Sequence, residues 1–309
     1  MTGRRDFLKG TLWMGAAAAA VGAVLTSGCS TFKSEEEKPL RVLMIGNSFS
    51  VCALQHMPAV AESLGLRLDL ASLYIGGCSL ERHWDNVQKD GDKSFLPYGF
   101  SRNCEGKITR GKANVCDALR SEKWDVVTVQ QASGKSWQKE SYHPFGDELV
   151  AKIRELAPTA KIYVQETWSY TPWDKRLKKW KIDQDEMYEK LKAAYADFAE
   201  QHSLGMIRMG TAVQEWRRRL PVKYTENSFG GDVVGGGRQP ERDQFKRTKE
   251  NRWVPNSDVF HLARRGEYLQ ALVWTAKLFK TDVRRCKYKP DFVSEEYAKL
   301  MKEIADELK

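Results

Sequence analysis

Apolar residues along this chain fall into two distinct periods. Short runs at Leu40 to Ile45 (stopped by Gly46), Leu66 to Tyr74, Trp124 to Val129, Lys161 to Val164 and His202 to Arg208 read as strands buried on both faces. Between and after them the period becomes helical. A helix is predicted from about Ala53 to Leu64, and Met187, Leu191, Ala194, Tyr195 and Phe198 form one apolar stripe. Leu269, Leu272, Val273 and Ala276 mark a helix over Gly266 to Phe279, and a last one follows Ser294. Alternation of strand and helix predicts an α/β domain over residues 40–309, three layers α/β/α around a mostly parallel five-stranded sheet. Two polar, glycine-bearing stretches, 85–112 and 221–255, break the pattern and read as insertions on the sheet's rim. The second is long enough for a lid.

The N-terminus has a different pattern. Arg4 and Arg5 precede an Ala/Gly-rich apolar stretch from Thr11 to Leu25, the layout of an export leader, and Leu25-Thr26-Ser27-Gly28-Cys29 is similar to a lipoprotein processing site. Residues 1–28 are expected to be a twin-arginine-type signal peptide, Cys29 the lipidated residue, and residues 29–39 a polar tether. An uncleaved anchor would export the domain equally well. The product would reside in the bacterial periplasm or cell envelope, touching membrane only through that anchor.

The 309 residues carry 41% hydrophobic and 29% charged side chains, and a mean hydropathy of -0.56 argues against a polytopic membrane protein. Loss of the leader lowers the formal charge from +9 to +7, because Arg4, Arg5 and Lys9 depart with Asp6. A basic exported surface suits anionic polysaccharide or lipid head groups. Nucleic acid is not expected as a partner, since no basic recognition helix or RNA-binding aromatic motif is present, and Arg217-Arg218-Arg219 reads as a solvated helix end. The six cysteines show no zinc-type spacing, so no metal is expected. Cys104 and Cys116 fit either a disulfide or two buried thiols.

Ligands of open α/β sheets bind beyond the carboxyl ends of the strands, which directs attention to the turns there. Gly46-Asn47-Ser48-Phe49-Ser50 follows the first strand and matches neither a dinucleotide loop, a P-loop nor the G-x-S-x-G elbow. Ser48 fits either a nucleophile or the start of a helix. Near the chain's end, Asp258 stands three residues before His261, a spacing that lets a carboxylate hold the imidazole while its other nitrogen faces a serine. Gly76-Gly77 after the second strand lets backbone amides approach a developing oxyanion, and Gln130-Gln131-Ala132-Ser133 after the third offers side-chain donors. Trp168 and its aromatic neighbours after the fourth strand could stack on a substrate ring or pack beneath a loop.

Together and in order, IGNSFS at 45–50, GGCSLERH at 76–83, WDVVTVQQASG at 124–134 and DVFHLARRGEYL at 258–269 resemble the blocks of the GDSL-like SGNH hydrolases, in particular an uncharacterised exported bacterial branch. The resemblance implies a flavodoxin-like SGNH fold, Ser48 as nucleophile, His261 as general base, Asp258 as its orienting partner, and the Ser48 and Gly77 amides as an oxyanion hole. The sequence departs from the family pattern at Asn47, where Asp is usual, and at Gln131-Ala132-Ser133-Gly134, where G-x-N-D is usual. The missing asparagine's role therefore falls to Gln130, Gln131 or Ser133. Gln131 is assigned to the oxyanion hole, and Asn47, Gly76, Gln130, Ser133 and Trp168 to substrate. The function implied is removal of acyl groups, acetyl foremost, from carbohydrate or another small ester, with no cofactor. A glycan-binding lipoprotein without turnover and a lipid or thioester hydrolase are the alternatives.

Overall fold

A computed structural model of the chain describes residues 38–220, 232–235, 245–247, 253–255 and 258–309. The leader, the tether up to residue 37, Cys29 and most of the 221–255 insertion lie outside the described residues.

The strands of the main sheet are β1 Leu40–Gly46, β2 Leu68–Tyr74, β3 Tyr98–Cys104, β4 Lys107–Ala113, β5 Val126–Val129, β6 Lys161–Gln165 and β7 Gly205–Ile207. They form one sheet ordered β4-β3-β2-β1-β5-β6-β7. The five predicted strands are β2, β1, β5, β6 and β7, all mutually parallel. The sheet is nevertheless seven-stranded and mixed, because part of the 85–112 insertion forms a hairpin whose β3 runs antiparallel to β2. Its tight turn places Glu105 and Gly106 both at positive φ, 50° and 86°, with Asn103 Oδ1 accepting from the Gly106 amide. The hydrophobic pattern gives no warning of this pair. β4 is a solvated edge carrying Lys107, Thr109, Arg110 and Lys112, and such charges discourage pairing with another chain.

Helices cover both faces. They are α1 Ser48–Val51, α2 Met57–Ser63, α3 Leu80–Val87, α4 Val115–Arg120, α5 Phe145–Leu156, α6 Lys175–Trp180, α7 Gln184–Gln201, α8 Met209–Arg219, α9 Arg264–Phe279 and α10 Glu295–Glu307. One layer packs α3, α4, α5 and α7; the other packs α2, α8 and α10 around α9. Central strands with both faces covered have no polar side, which explains the buried run Val42 to Ile45. The same logic makes α9 more than amphipathic, with Gly266 to Ala276 buried all round, including Glu267, Gln270 and Thr275. Among the described residues, no helix is long and apolar enough to cross a membrane.

Candidate active site

The turn after β1 is tightly determined. A Cβ added at Gly46 would overlap the Ser50 hydroxyl and push it off the Asn47 carbonyl to which it donates. Asn47 caps α1 from an extended backbone, its Oδ1 accepting from the Phe49 amide at 3.0 Å. The same amide side chain accepts from Gln130 Nε2 at 2.6 Å and donates through Nδ2 to the Cys78 carbonyl at 2.9 Å. One residue further, the Phe49 carbonyl receives Gln165 Nε2 from β6 at 3.0 Å and Gln270 Nε2 from α9 at 2.7 Å. The Phe49 ring stacks on Trp168 with centroids 4.2 Å apart. Ser48, between these anchors, is the first residue of α1.

The segment before α9 brings His261 to that serine. His261 Nε2 lies 2.8 Å from Ser48 Oγ, and Nδ1 lies 3.1 and 3.0 Å from the two Asp258 oxygens. Asp258 Oδ1 also accepts from the His261 backbone amide, fixing the spacing of three residues as a turn. Burial opposes ionisation of Asp258. The His261 ring, its charge and the His261 and Phe260 amides outweigh burial and hold the carboxyl below its ordinary value. A carboxylate only accepts hydrogen bonds, so Nδ1 carries the ring proton and Nε2 offers its lone pair to the serine hydroxyl.

Two neighbours hold this segment in place. Val259 and Phe260 carbonyls accept from the Thr171 hydroxyl and the Trp168 indole, at 3.0 and 2.8 Å. On the other side residues 232–235 run antiparallel to it, bridging Val234 to Leu262, with Gly235 donating to the His261 carbonyl at 2.7 Å and Ala263 to the Val233 carbonyl at 2.8 Å. Arg217 ties both neighbours together, paired with Asp232 at 3.0 Å and donating to the Ser169 carbonyl and hydroxyl. This corrects the solvated reading of the arginine cluster: Arg217 is buried, whereas Arg218 and Arg219 pair with Glu215.

Two cavities meet at Ser48, His261 and Tyr74. The larger, about 550 Å³, is also lined by Gly76, Gly77, Ser133, Tyr170, Arg176 and Phe260. The smaller, about 470 Å³, is lined by Val51, Cys52, Asp258, Leu262 and Glu267. Gly77 adopts φ +61° with open space where a side chain would stand. Among the described residues the Ser48 and Gly77 amides donate to no protein group, which leaves two N–H donors at the cavity wall. No group of three or more His, Cys, Asp or Glu among the described residues could hold a metal ion.

Several assigned residues have other employment. Gln131 is buried and staples the loop after β5: its Oε1 accepts from the Leu80 and Ala132 amides and its Nε2 donates to the Ser141 carbonyl at 2.7 Å. Nothing is left for an oxyanion. Trp168 is also buried, against Phe49, so it offers no face to substrate. Asn47 and Gln130 spend their amides on the serine turn. Gly76 and Ser133 do line the larger cavity, the Ser133 hydroxyl at 2.8 Å from that of Tyr170. Cys104 and Cys116 are free thiols. Tyr74, Arg176 and the Arg217–Asp232 clip have no sequence signature, since Tyr74 reads as a strand end and the other contacts link residues distant in the chain.

Among curated proteins none matches this chain. Among solved structures, a DUF4886 family protein from Bacteroides uniformis is 28% identical with a TM-score of 0.72, over 87% of this chain and 94% of that one. A candidate SGNH hydrolase from Slackia heliotrinireducens is 19% identical over 78% of this chain and 100% of that one, TM-score 0.49. A family 3 carbohydrate esterase from Clostridium thermocellum is 10% identical over 79% and 96%, TM-score 0.45. The sequence profile of the domain of unknown function DUF4886 matches residues 41–232, from β1 to the Asp232 clip. With most of its sheet inside that match, this chain belongs to the DUF4886 family.

Proposed function

We propose that this protein is an exported serine esterase that removes acyl groups, acetyl foremost, from carbohydrate. The observation that carries the reading is the unbroken hydrogen-bond chain from Asp258 through His261 to Ser48, opening onto a cavity with two amides that have no partner among the described residues. In this reading Ser48 Oγ attacks the ester carbonyl while His261 Nε2 takes its proton, and the Ser48 and Gly77 amides stabilise the resulting oxyanion. His261 then returns the proton to the departing alcohol. Water, activated by the same imidazole, releases the acid from Ser48. Export rests on the Arg4-Arg5 leader and Cys29, and the carbohydrate assignment on the Ser133, Tyr170 and Arg176 polar groups set among aromatic rings in the larger cavity.

A fluorophosphonate probe is expected to label Ser48, as mapped in the modified peptide, and p-nitrophenyl acetate to be hydrolysed. Glycan binding without turnover or labelling would instead make this a binding lipoprotein. A second reading, hydrolysis of longer acyl esters, is favoured by Val51, Cys52 and Leu262 in the smaller cavity. An acyl chain-length series separates the two, since preference for long chains contradicts a deacetylase.

A further inference from the structure

The two cavities at Ser48 differ in chemistry. Both mix polar and apolar groups, but the smaller sets the carboxyl groups of Asp258 and Glu267 beside Val51, Cys52 and Leu262, whereas the larger sets the Ser133 and Tyr170 hydroxyls and the Arg176 guanidinium beside Phe260, donors and rings suited to a sugar alcohol. Arg176 is firmly held in the wall of the larger cavity. Asp174, nearly fully buried, accepts from its Nε at 2.9 Å and its Nη2 at 2.5 Å, and also from its backbone amide at 2.9 Å. The guanidinium carbon lies 4.1 Å from the Tyr170 ring centroid and 4.0 Å from that of Phe260. Its side chain nonetheless keeps 35% exposure, and Nη1 has no partner among the described residues. A donor fixed on one edge and across its face, with its remaining nitrogen unengaged, is preorganised for a ligand oxygen.

Charge decides which oxygen. Asp174 neutralises Arg176, and Lys135, the other cation lining this cavity, is paired with Glu81 at 2.7 Å. The chain's basic surplus therefore does not reach this wall, and an incoming carboxylate would find both cations already paired.

We propose that Arg176 recognises the alcohol half of the ester through Nη1, and that the alcohol it fits is an uncharged sugar rather than a sugar acid. This rests on the esterase reading above and adds to it the substrate class. Acetylated xylan, acetylated polygalacturonate and p-nitrophenyl acetate, assayed with wild type, Arg176→Ala and Asp174→Asn at near-physiological salt to damp long-range attraction, test it.

Wild type is expected to favour the neutral polymer. Arg176→Ala is expected to lose about 10- to 100-fold in kcat/KM on acetylated xylan, the usual worth of one hydrogen bond to a charged group, chiefly through KM. That loss should exceed the loss on p-nitrophenyl acetate by at least about tenfold. Asp174→Asn, which unmasks the guanidinium, should shift preference toward the acidic polymer about tenfold or more, a gain that misfolding cannot mimic. Equal losses on polymer and small ester, or a wild-type preference for the acidic polymer, overturns the assignment while leaving the esterase reading intact. Turnover of p-nitrophenyl acetate with neither polymer cleaved sinks the carbohydrate reading and this assignment with it.

Discussion

The serine turn and the histidine segment meet at one hydrogen bond but are held in different ways. The serine turn grows out of a central strand, and besides its own Asn47 cap it receives bonds from Gln130 just after β5, Gln165 of β6 and Gln270 of α9. The histidine segment has no strand of its own. It hangs between Trp168–Thr171 and residues 232–235, and both supports converge on Arg217. Ser48 is thus redundantly placed by the core, whereas both supports of His261 pass through one buried ion pair, and redundancy predicts which residues tolerate change.

The largest effect tests the meeting point itself. Ser48→Ala is expected to cut kcat by on the order of 10⁴- to 10⁶-fold with the thermal midpoint nearly unchanged, because serine-hydrolase members act as a unit and the turn's anchors lie elsewhere. Residual turnover within tenfold of wild type would remove Ser48 from the chemistry.

Next in size is the clip. Arg217→Met leaves Asp232 buried without its cation and should cost roughly 3–5 kcal/mol of stability, read from urea unfolding. Adding Asp232→Leu should return most of that stability, since apolar replacement of a buried pair is often neutral. Activity should recover less than stability, because the tether to Ser169 stays broken. Full recovery of both would make the clip a packing device with no part in placing His261.

Much of this was legible in the sequence. Buried strands announce themselves by short apolar-rich runs, which is why β1, β2, β5, β6 and β7 are legible and the solvated β3–β4 hairpin is not. Ser48, His261 and Asp258 sit in blocks whose spacing is local. The oxyanion assignment to Gln131 failed because a glutamine's donors look the same in a sequence whether they face substrate or staple a loop to Leu80 and Ser141. Trp168 failed for a related reason, a large ring after a strand serving packing and recognition equally well. Arg217 and Arg176 were invisible because their meaning lies in Asp232 and in the rings of Tyr170 and Phe260, which only the fold brings near.

A smaller effect concerns the support behind Gly77. His83 is wholly buried, stacked on Tyr98, with Nδ1 at 2.8 Å from the Tyr98 hydroxyl and near the Cys78 thiol. Burial, aided by the Arg82 charge, lowers its pKa from the ordinary 6.5 to about 3. Between those values the unfolded chain binds a proton that the folded chain refuses. Stability from this group is therefore complete above about pH 6.5 and declines as pH falls toward 3. His56, lowered to about 4 by burial, acts in the same direction over a narrower window. The urea midpoint should fall between pH 7 and pH 4, and less steeply in His83→Gln. Parallel slopes would mean that His83 is protonated in the folded state.

The smallest effect is the most direct test of redundancy. Gln165 and Gln270 both donate to the Phe49 carbonyl, and Gln270 Nε2 also lies 3.3 Å from Gln165 Oε1. Gln270→Leu alone leaves that carbonyl one donor and should cost about 1 kcal/mol, with kcat on p-nitrophenyl acetate falling less than about threefold. Gln165→Leu should behave alike. Removing both strips a buried carbonyl of its side-chain donors, so the double variant should lose about 1–2 kcal/mol more than the two single losses combined, and kcat should then drop. An additive cycle would mean that the two glutamines are not alternates for one another, and the contrast between a redundantly held Ser48 and a singly clipped His261 would lose its basis.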